Sequence, residues 1–363
     1  MILCLKIIGG DGYLTPIERL IVLLRDENLK GIFIKGAVSI RYFTGFTGGD
    51  SLLYVDSNHK IIITDSRYIL QAKNEAPDCE IVEHNGMWLE AGKLQLSGKI
   101  ALDGDCFSYS EQCALAAALP NVTWENFDIV ALRSVKTTLE LEFITQAVAL
   151  SDKAFAQLIP YVKEGMSELA LAAQLEFNMR KLGSEEVAFS TIVASGVRSA
   201  LPHGMPTEKK VAKGDFITFD FGATYKGYRS DITRTLVMGE AAAWQREVYD
   251  IVLQANLLGE NSVKAGITGF EVDAKVRKFI ADNGYGAYFG HGLGHGVGMD
   301  IHEQPVLSRR DTKTILPVNA VVTIEPGIYI PGKGGVRIED TVVVTQDGCH
   351  ILTATPKQLL EIS

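Results

Sequence analysis

The chain has 363 residues, 47% of them hydrophobic and 22% charged, with a formal net charge of −9. That length exceeds one ordinary core and predicts two domains, while the acidic balance excludes nucleic acid or an anionic membrane as the main partner. No stretch approaches the run of about 18 apolar residues that a membrane span needs.

The five cysteines (Cys4, Cys79, Cys106, Cys113 and Cys349) are odd in number and lack metal-site spacing, which fits free thiols in a reducing cytoplasm. The opening MILCLKIIGGDG has a short apolar run broken by Lys6 and no basic segment before it, so no signal peptide is expected. From there to residue 133, strand-like runs at 31–35, 51–56, 60–64, 80–83 and 99–103 alternate with helical patterns at 15–27, 66–76, 88–94 and 108–119. This alternation predicts an α/β layer sandwich. SIRYFTGFTG, residues 39–48, reads as a Gly- and aromatic-rich turn. The segment has no phosphate loop and no paired acid/base motif, so its plain reading is a scaffolding or dimerising domain.

Near Lys136 the pattern changes. ALRSVKTTLELEFITQAVALSDKAF starts a long amphipathic helix, with Thr137 or Thr138 placed to cap it and Glu140 and Glu142 in its first turn. The domains are therefore expected to be 1–133 and 134–363. Within the second, VKEGMSELALAAQLEFNMRKLG (162–183) and VKAGITGFEVDAKVRKFIADNG (263–284) share length, the opening VKxG and a closing glycine. Each follows another helical stretch and precedes strands, which predicts two related halves of helix, helix and β-hairpin about a pseudo-twofold axis.

GHGLGHGVGMDIHEQP, residues 290–305, places His291, His295 and His302 among five glycines. So dense a glycine run is no helix; it lets backbone approach something small while imidazoles point at it. Around it, FITFDFG carries Asp220, YRSDITRT carries Asp231, VVTIEPGIYI carries Glu325 and VRIEDTVVV carries Glu339. Each acid interrupts an apolar strand-like run, and buried carboxylates need a pairing charge or a metal. Asp220 and Asp231 flank a turn at 222–227 and are expected roughly opposite one another on one hairpin face; Glu325 and Glu339 repeat the arrangement around PGKGG. A lone strand-end Asp or Glu is ordinarily a turn residue, and so is a lone histidine before glycine such as His203. The complete set in order is what points to two divalent ions, with His295 supplying a nitrogen. Oxygen-rich ligation favours Mn²⁺, with Co²⁺, Fe²⁺ or Zn²⁺ as alternatives.

The ordered motifs PHG, FDFG, SDITRT, GHGLGHGVGMDIHEQP, TIEPGIY and VRIEDTVVV resemble the Xaa-Pro peptidase branch, prolidase and aminopeptidase P, of the M24 "pita-bread" metallopeptidases. The resemblance covers essentially the whole chain. It implies an α/β (α+β) fold: a creatinase-like N-terminal α/β domain followed by a pseudo-twofold pita-bread catalytic domain. It also implies that Asp220, Asp231, His295, Glu325 and Glu339 are the metal ligands, and that His203, His291 and His302 bind substrate and assist proton transfer. Arg337 would orient a ligand carboxylate, Tyr329 would stand near the site, and Glu325 would shuttle a proton while a bridging hydroxide attacks.

The implied activity is release of the N-terminal residue from Xaa-Pro peptides, with a dipeptide-restricted prolidase as the alternative and a catalytically dead peptide-binding relative as a distant one. A creatinase-like hydrolase would lack the ligand set, and a methionine aminopeptidase would not need residues 1–133. Proline-containing peptides as substrate, a homodimer and a cytoplasmic location complete the expectation. His59, His84 and His350 fall outside the constellation. Trp88, Trp124 and Trp244 carry no site argument, with Trp88 reaching a partner subunit's site in a dimer as the alternative to packing.

Overall fold

The computed structural model describes residues 14–363, so Cys4 and the opening segment read for a signal peptide lie outside the described residues. The chain divides into two compact units between Leu132 and Arg133.

The first unit runs α1 (Pro16–Asp26), β1 (Gly31–Lys35), α2 (Ala37–Thr44), β2 (Leu52–Asp56), β3 (Lys60–Thr64), α3 (Ile69–Glu75), β4 (Glu80–Glu83), α4 (Met87–Lys93), β5 (Gly98–Leu102), α5 (Tyr109–Ala118) and β6 (Val122–Asn126). Its strands form one mixed sheet in the order β4-β3-β2-β1-β5-β6. Both α1 and α5 begin with a capping box, Thr15 with Glu18 and Ser108 with Glu111, which satisfies the free amides of the first turn. Phe33, Tyr54, Ile63, Ile100 and Leu115 are buried in the core, against which Trp88 and Trp124 pack. Trp88 lies 6.5 Å from Phe107, ring to ring.

Two features differ from the sequence reading. The stretch 39–48 is no simple turn, because its first half belongs to α2, which Gly45 closes in the left-handed conformation at φ 79°. The strand β6 escapes notice because its residues are half-exposed at a sheet edge and carry no apolar run.

The second unit runs α6 (Thr138–Leu158), α7 (Glu168–Lys181), β7 (Ile192–Ser195), β8 (Phe216–Phe221), β9 (Thr224–Tyr225), β10 (Tyr228–Arg229) and β11 (Ile232–Met238). It continues with α8 (Ala243–Ser262), α9 (Gly269–Asp282), β12 (Gly294–Gly296), β13 (Glu303–Leu307), β14 (Val321–Ile324), β15 (Gly327–Ile330), β16 (Gly334–Arg337), β17 (Asp340–Val344), β18 (Cys349–Ile351) and β19 (Glu361–Ile362). Thr137 is the cap of α6, in a box with Glu140.

The internal repeat is visible residue by residue. Ser167 caps α7 and Thr268 caps α9. Gly165 and Gly266 take φ 83° and 85°, and Gly183 and Gly284 take 109° and 87°. Leu171, Leu175 and Met179 are buried along α7 as Val272, Val276 and Ile280 are along α9. Each helix pair leads into a sheet, β19-β11-β8-β7 in the first half and β13-β12-β14-β17-β18 in the second. Cys79, Cys113 and Cys349 are free thiols. Among the described residues no helix is long and apolar enough to cross a membrane.

Candidate active site

The four acids stand on two antiparallel hairpins. In the first, β8 pairs with β11 so that Asp220 lies level with Thr233. The same register runs on into β9 and β10, which close through Lys226 at φ 52° and Gly227 at φ 82°, the two positive angles a two-residue hairpin turn requires. Asp231 therefore falls level with Gly222, and Asp220 and Asp231 are diagonal neighbours on one face rather than directly opposed. Strand contact at Gly222 is so close that a Cβ there would sit 1.8 Å from the Ser230 carbonyl oxygen. In the second hairpin the pairs Ile324 with Asp340 and Gly327 with Arg337 bracket Glu325 and Glu339, which lie level where β14 gives way to β15. A bridge between Thr233 and Glu339 joins the hairpins. The Glu339 amide donates to Thr233 O at 3.1 Å, and the Thr233 hydroxyl donates to Glu339 Oε2 at 2.6 Å.

His295 projects from β12 into this cluster. Its Nδ1 is 3.0 Å from Gly296 O, and a carbonyl only accepts, so the proton sits on Nδ1 and Nε2 is left with its lone pair. That lone pair faces Asp231 Oδ2 and Glu325 Oε1, each at 3.5 Å. Asp231, His295 and Glu339 each offer a ligand atom within 4.8 Å of the others. Asp220 Oδ2 accepts from Arg337 Nη2 at 2.6 Å, while its buried Oδ1 has no hydrogen-bond donor among the described residues.

Burial, followed by the charges of the neighbouring acids, pushes the carboxyls of Asp231 and Glu339 well above the usual carboxylate range. Burial raises Glu325 to about 8, against the pull of Arg337. Burial lowers His291 and His295 to about 4, with Arg337 and His302 as the next causes, and it lowers His302 as well. Neutral imidazoles, converging carboxylates and an unpartnered carboxylate oxygen are a donor set that fits divalent cations. The five expected ligands are thus brought together, four on the hairpins and one on β12.

A cavity of about 270 Å³ opens on the cluster, and His203, His291 and His302 line it together with Arg337. The ring of His302 lies 4.4 Å from that of His295. His291 Nδ1 donates to Gly292 O at 2.7 Å, so its Nε2 accepts from the Tyr329 hydroxyl at 2.9 Å. Tyr329 in turn accepts from Arg337 Nη1 at 2.7 Å. Arg337 also donates to Thr233 Oγ1 and Pro202 O. Its carboxylate partner is Asp220, not its strand neighbour Glu339.

Thr233, which ties Arg337 to Glu339, was not singled out in the sequence, although its place two residues after Asp231 puts it on the same strand face. Phe189, Ile192 and Ile301 line the cavity with apolar side chains that give no signal in a sequence.

Two pseudo-symmetric halves that contribute opposed carboxylate hairpins around one imidazole define a metal-dependent hydrolase of the pita-bread class. Residues 142–346 match metallopeptidase family M24 and residues 16–135 match the Creatinase/Prolidase N-terminal domain, and the chain belongs to family M24. It is similar to the solved structure of an Xaa-Pro dipeptidase from Bacillus anthracis, with 42% identity, 95% of this chain and 99% of that one covered, and a TM-score of 0.91. An X-Pro aminopeptidase structure from Thermotoga maritima is likewise 42% identical over 95% and 99% of the two chains, with a TM-score of 0.88. The Xaa-Pro dipeptidase of Pyrococcus furiosus is 39% identical over 95% of this chain and 99% of its own length.

Proposed function

We propose that the chain hydrolyses the peptide bond preceding proline, with two divalent ions held by Asp220, Asp231, His295, Glu325 and Glu339. The observation that carries the reading is the His295 Nε2 lone pair aimed at the Asp231 and Glu325 carboxylates, beside the donorless Oδ1 of Asp220. Left without a cation, that arrangement is repulsive. Bound there, a pair of ions supplies a water of lowered pKa and polarises the scissile carbonyl. The oxygen-rich set favours Mn²⁺, with Co²⁺, Fe²⁺ or Zn²⁺ as alternatives.

The remaining roles belong to the chain's own side chains. Glu325, with His291 Nδ1 at 3.8 Å, takes the proton of the attacking water and returns it to the leaving nitrogen. His302 and His203 stand on the cavity wall to hold the substrate carbonyl and stabilise charge on its oxygen. Arg337 orients Asp220 through its guanidinium and His291 through the Tyr329 hydroxyl. Residues 1–133 serve as a scaffolding and dimerising domain, residues 134–363 carry the catalysis, and the enzyme works as a cytoplasmic homodimer.

Both names carried by the similar structures bear on substrate length. Likeness to the B. anthracis and P. furiosus proteins, each named an Xaa-Pro dipeptidase, supports dipeptides as this chain's substrates, and likeness to the T. maritima protein, named an X-Pro aminopeptidase, supports longer peptides, the expectation from the sequence. Hydrolysis of Ala-Pro beside Ala-Pro-Ala by metal-stripped protein with Mn²⁺ restored decides between them, with Asp231→Asn as control. Cleavage of the dipeptide alone makes the chain a prolidase, and preference for the tripeptide makes it an aminopeptidase. Cleavage of neither by protein carrying two ions overturns the Xaa-Pro reading.

A further inference from the structure

His291 reaches the cavity from a loop, and a loop alone does not hold an imidazole to the tolerance catalysis needs. The neighbouring helix α9 supplies the restraint. Arg277 donates from Nη1 to Phe289 O at 2.8 Å and from Nη2 to His291 O at 2.6 Å. Asp273, one turn earlier, accepts from Arg277 Nε at 2.9 Å and Nη2 at 2.8 Å, and from the Leu293 amide at 3.0 Å. The guanidinium also lies over the Phe289 ring, 4.2 Å from its centroid, and that ring meets the His291 imidazole at 5.1 Å in an edge contact.

The backbone before, at and after His291 is thus fixed by one side-chain pair, and the ring is packed by the residue that pair stacks upon. An Asp–Arg pair spaced four apart on a helix is ordinarily a solvated surface contact of a few tenths of a kcal/mol. Here Asp273 is fully buried, and all three guanidinium nitrogens are engaged. Neither residue lies in the cavity wall.

We infer that Asp273 and Arg277 are a positioning pair that sets His291 for its part in the reaction. The inference rests on the reading of His291 as a site residue of an Xaa-Pro peptidase. Arg277 acts through the loop and touches neither substrate nor metal ligand. Its removal should therefore alter turnover without altering metal content, because His295, not His291, is the nitrogen ligand.

The test is a double-mutant cycle of Arg277→Ala and His291→Ala in Mn²⁺-loaded protein on an Xaa-Pro peptide that the wild type cleaves. In the wild-type background Arg277→Ala should lower kcat about 10- to 100-fold, with KM and bound metal unchanged. In the His291→Ala background the same change should cost less than about threefold. Added guanidinium should restore part of the activity of Arg277→Ala, and Arg277→Lys, which lacks the planar fork, should leave most of the loss.

A readout that needs neither metal nor substrate is the imidazole ¹⁵N resonance of His291 in metal-free protein, which should shift in Arg277→Ala. Equal losses in both backgrounds, a loss that follows falling metal content, or an unmoved His291 resonance would overturn the inference. Should Arg277→Ala fail to fold, Arg277→Lys carries the same cycle. If the wild type cleaves no Xaa-Pro peptide, the functional reading fails, and the resonance alone decides the role of the pair.

Discussion

The two halves of the catalytic unit share a backbone plan and divide the chemistry unequally. Asp220 lies opposite Thr233 in the first hairpin, and Glu325 lies opposite Glu339 in the second. Thr233 thus corresponds to Glu339, and Asp231, two residues before Thr233, corresponds to Arg337, two residues before Glu339. Where the first half places an acid and a hydroxyl, the second places a base and an acid. The exchange runs across the pseudo-axis: Arg337 of the second half holds Asp220 of the first, and Thr233 of the first holds Glu339 of the second. A perfect duplicate could not do this, because like residues would face like. Repetition supplies the opposed hairpins, and divergence at two positions supplies the charge pattern that can gather cations.

The largest effect should follow from attacking the position where the halves differ in charge. Asp231→Asn keeps the shape and removes one of the converging carboxylates. It should lower kcat/KM by about a thousandfold or more, the loss of several kcal/mol of transition-state stabilisation, and reduce bound Mn²⁺ below two equivalents by elemental analysis. Retention of both ions would show that Asp231 is not the ligand its geometry suggests.

Next in size is Arg337→Lys, the counterpart position in the second half. A lysine keeps the charge but cannot reach Asp220, Tyr329, Thr233 and Pro202 O together as the guanidinium does. A loss of about 10- to 100-fold in kcat is expected, and Thr233→Val should fall in the same range because it cuts the other tie across the axis. Steady-state kinetics on both variants checks this. If either is silent, the halves are less interdependent than their contacts imply.

The loops that carry His203 and His291 extend the contrast between the halves from activity to stability. Glu168, buried in the first turn of α7, accepts from the amide and hydroxyl of Ser195, the amide and hydroxyl of Thr207 and the guanidinium of Arg198. It pins the segment containing His203 much as Asp273 pins the one containing His291, but from one turn nearer its helix start. Glu168→Gln sets an amide NH₂ against those donors and should cost about 3 kcal/mol of stability, read from denaturant unfolding of the metal-free protein. A change below about 1 kcal/mol would mean the loop holds itself.

These positions also mark the limit of what the sequence discloses. The four acids stood out because each breaks an apolar strand run, and the helix repeat stood out because glycines and caps recur at fixed spacing. Register did not, since the sequence reads Asp220 and Asp231 as roughly opposite one another, whereas the actual turn at Lys226 and Gly227 makes them diagonal. Thr233 and Glu168 stayed hidden because their partners are largely backbone atoms or side chains of other elements, which no local pattern encodes. Asp273 and Arg277 show an i,i+4 spacing, but it reads as an ordinary surface pair, and their bonds to the loop at 289–293 give no local signal. The helix α2 was masked by aromatic and glycine content that describes a turn as well as a helix end.

The smallest expected effect tests the shared backbone itself. Gly165 and Gly266 occupy equivalent turns at φ 83° and 85°, and a Cβ on either would meet nothing within 4 Å. Substitution by alanine therefore imposes only the cost of the left-handed conformation, about 1 kcal/mol, with no packing penalty to separate the sites. Gly165→Ala and Gly266→Ala should lower stability by equal amounts within a few tenths of a kcal/mol, measured side by side in urea, and both should leave Xaa-Pro hydrolysis intact. A clear inequality would have to come from the surrounding sequence, since the local geometry is the same. It would place the divergence of the halves in their folding energetics as well as in their site chemistry.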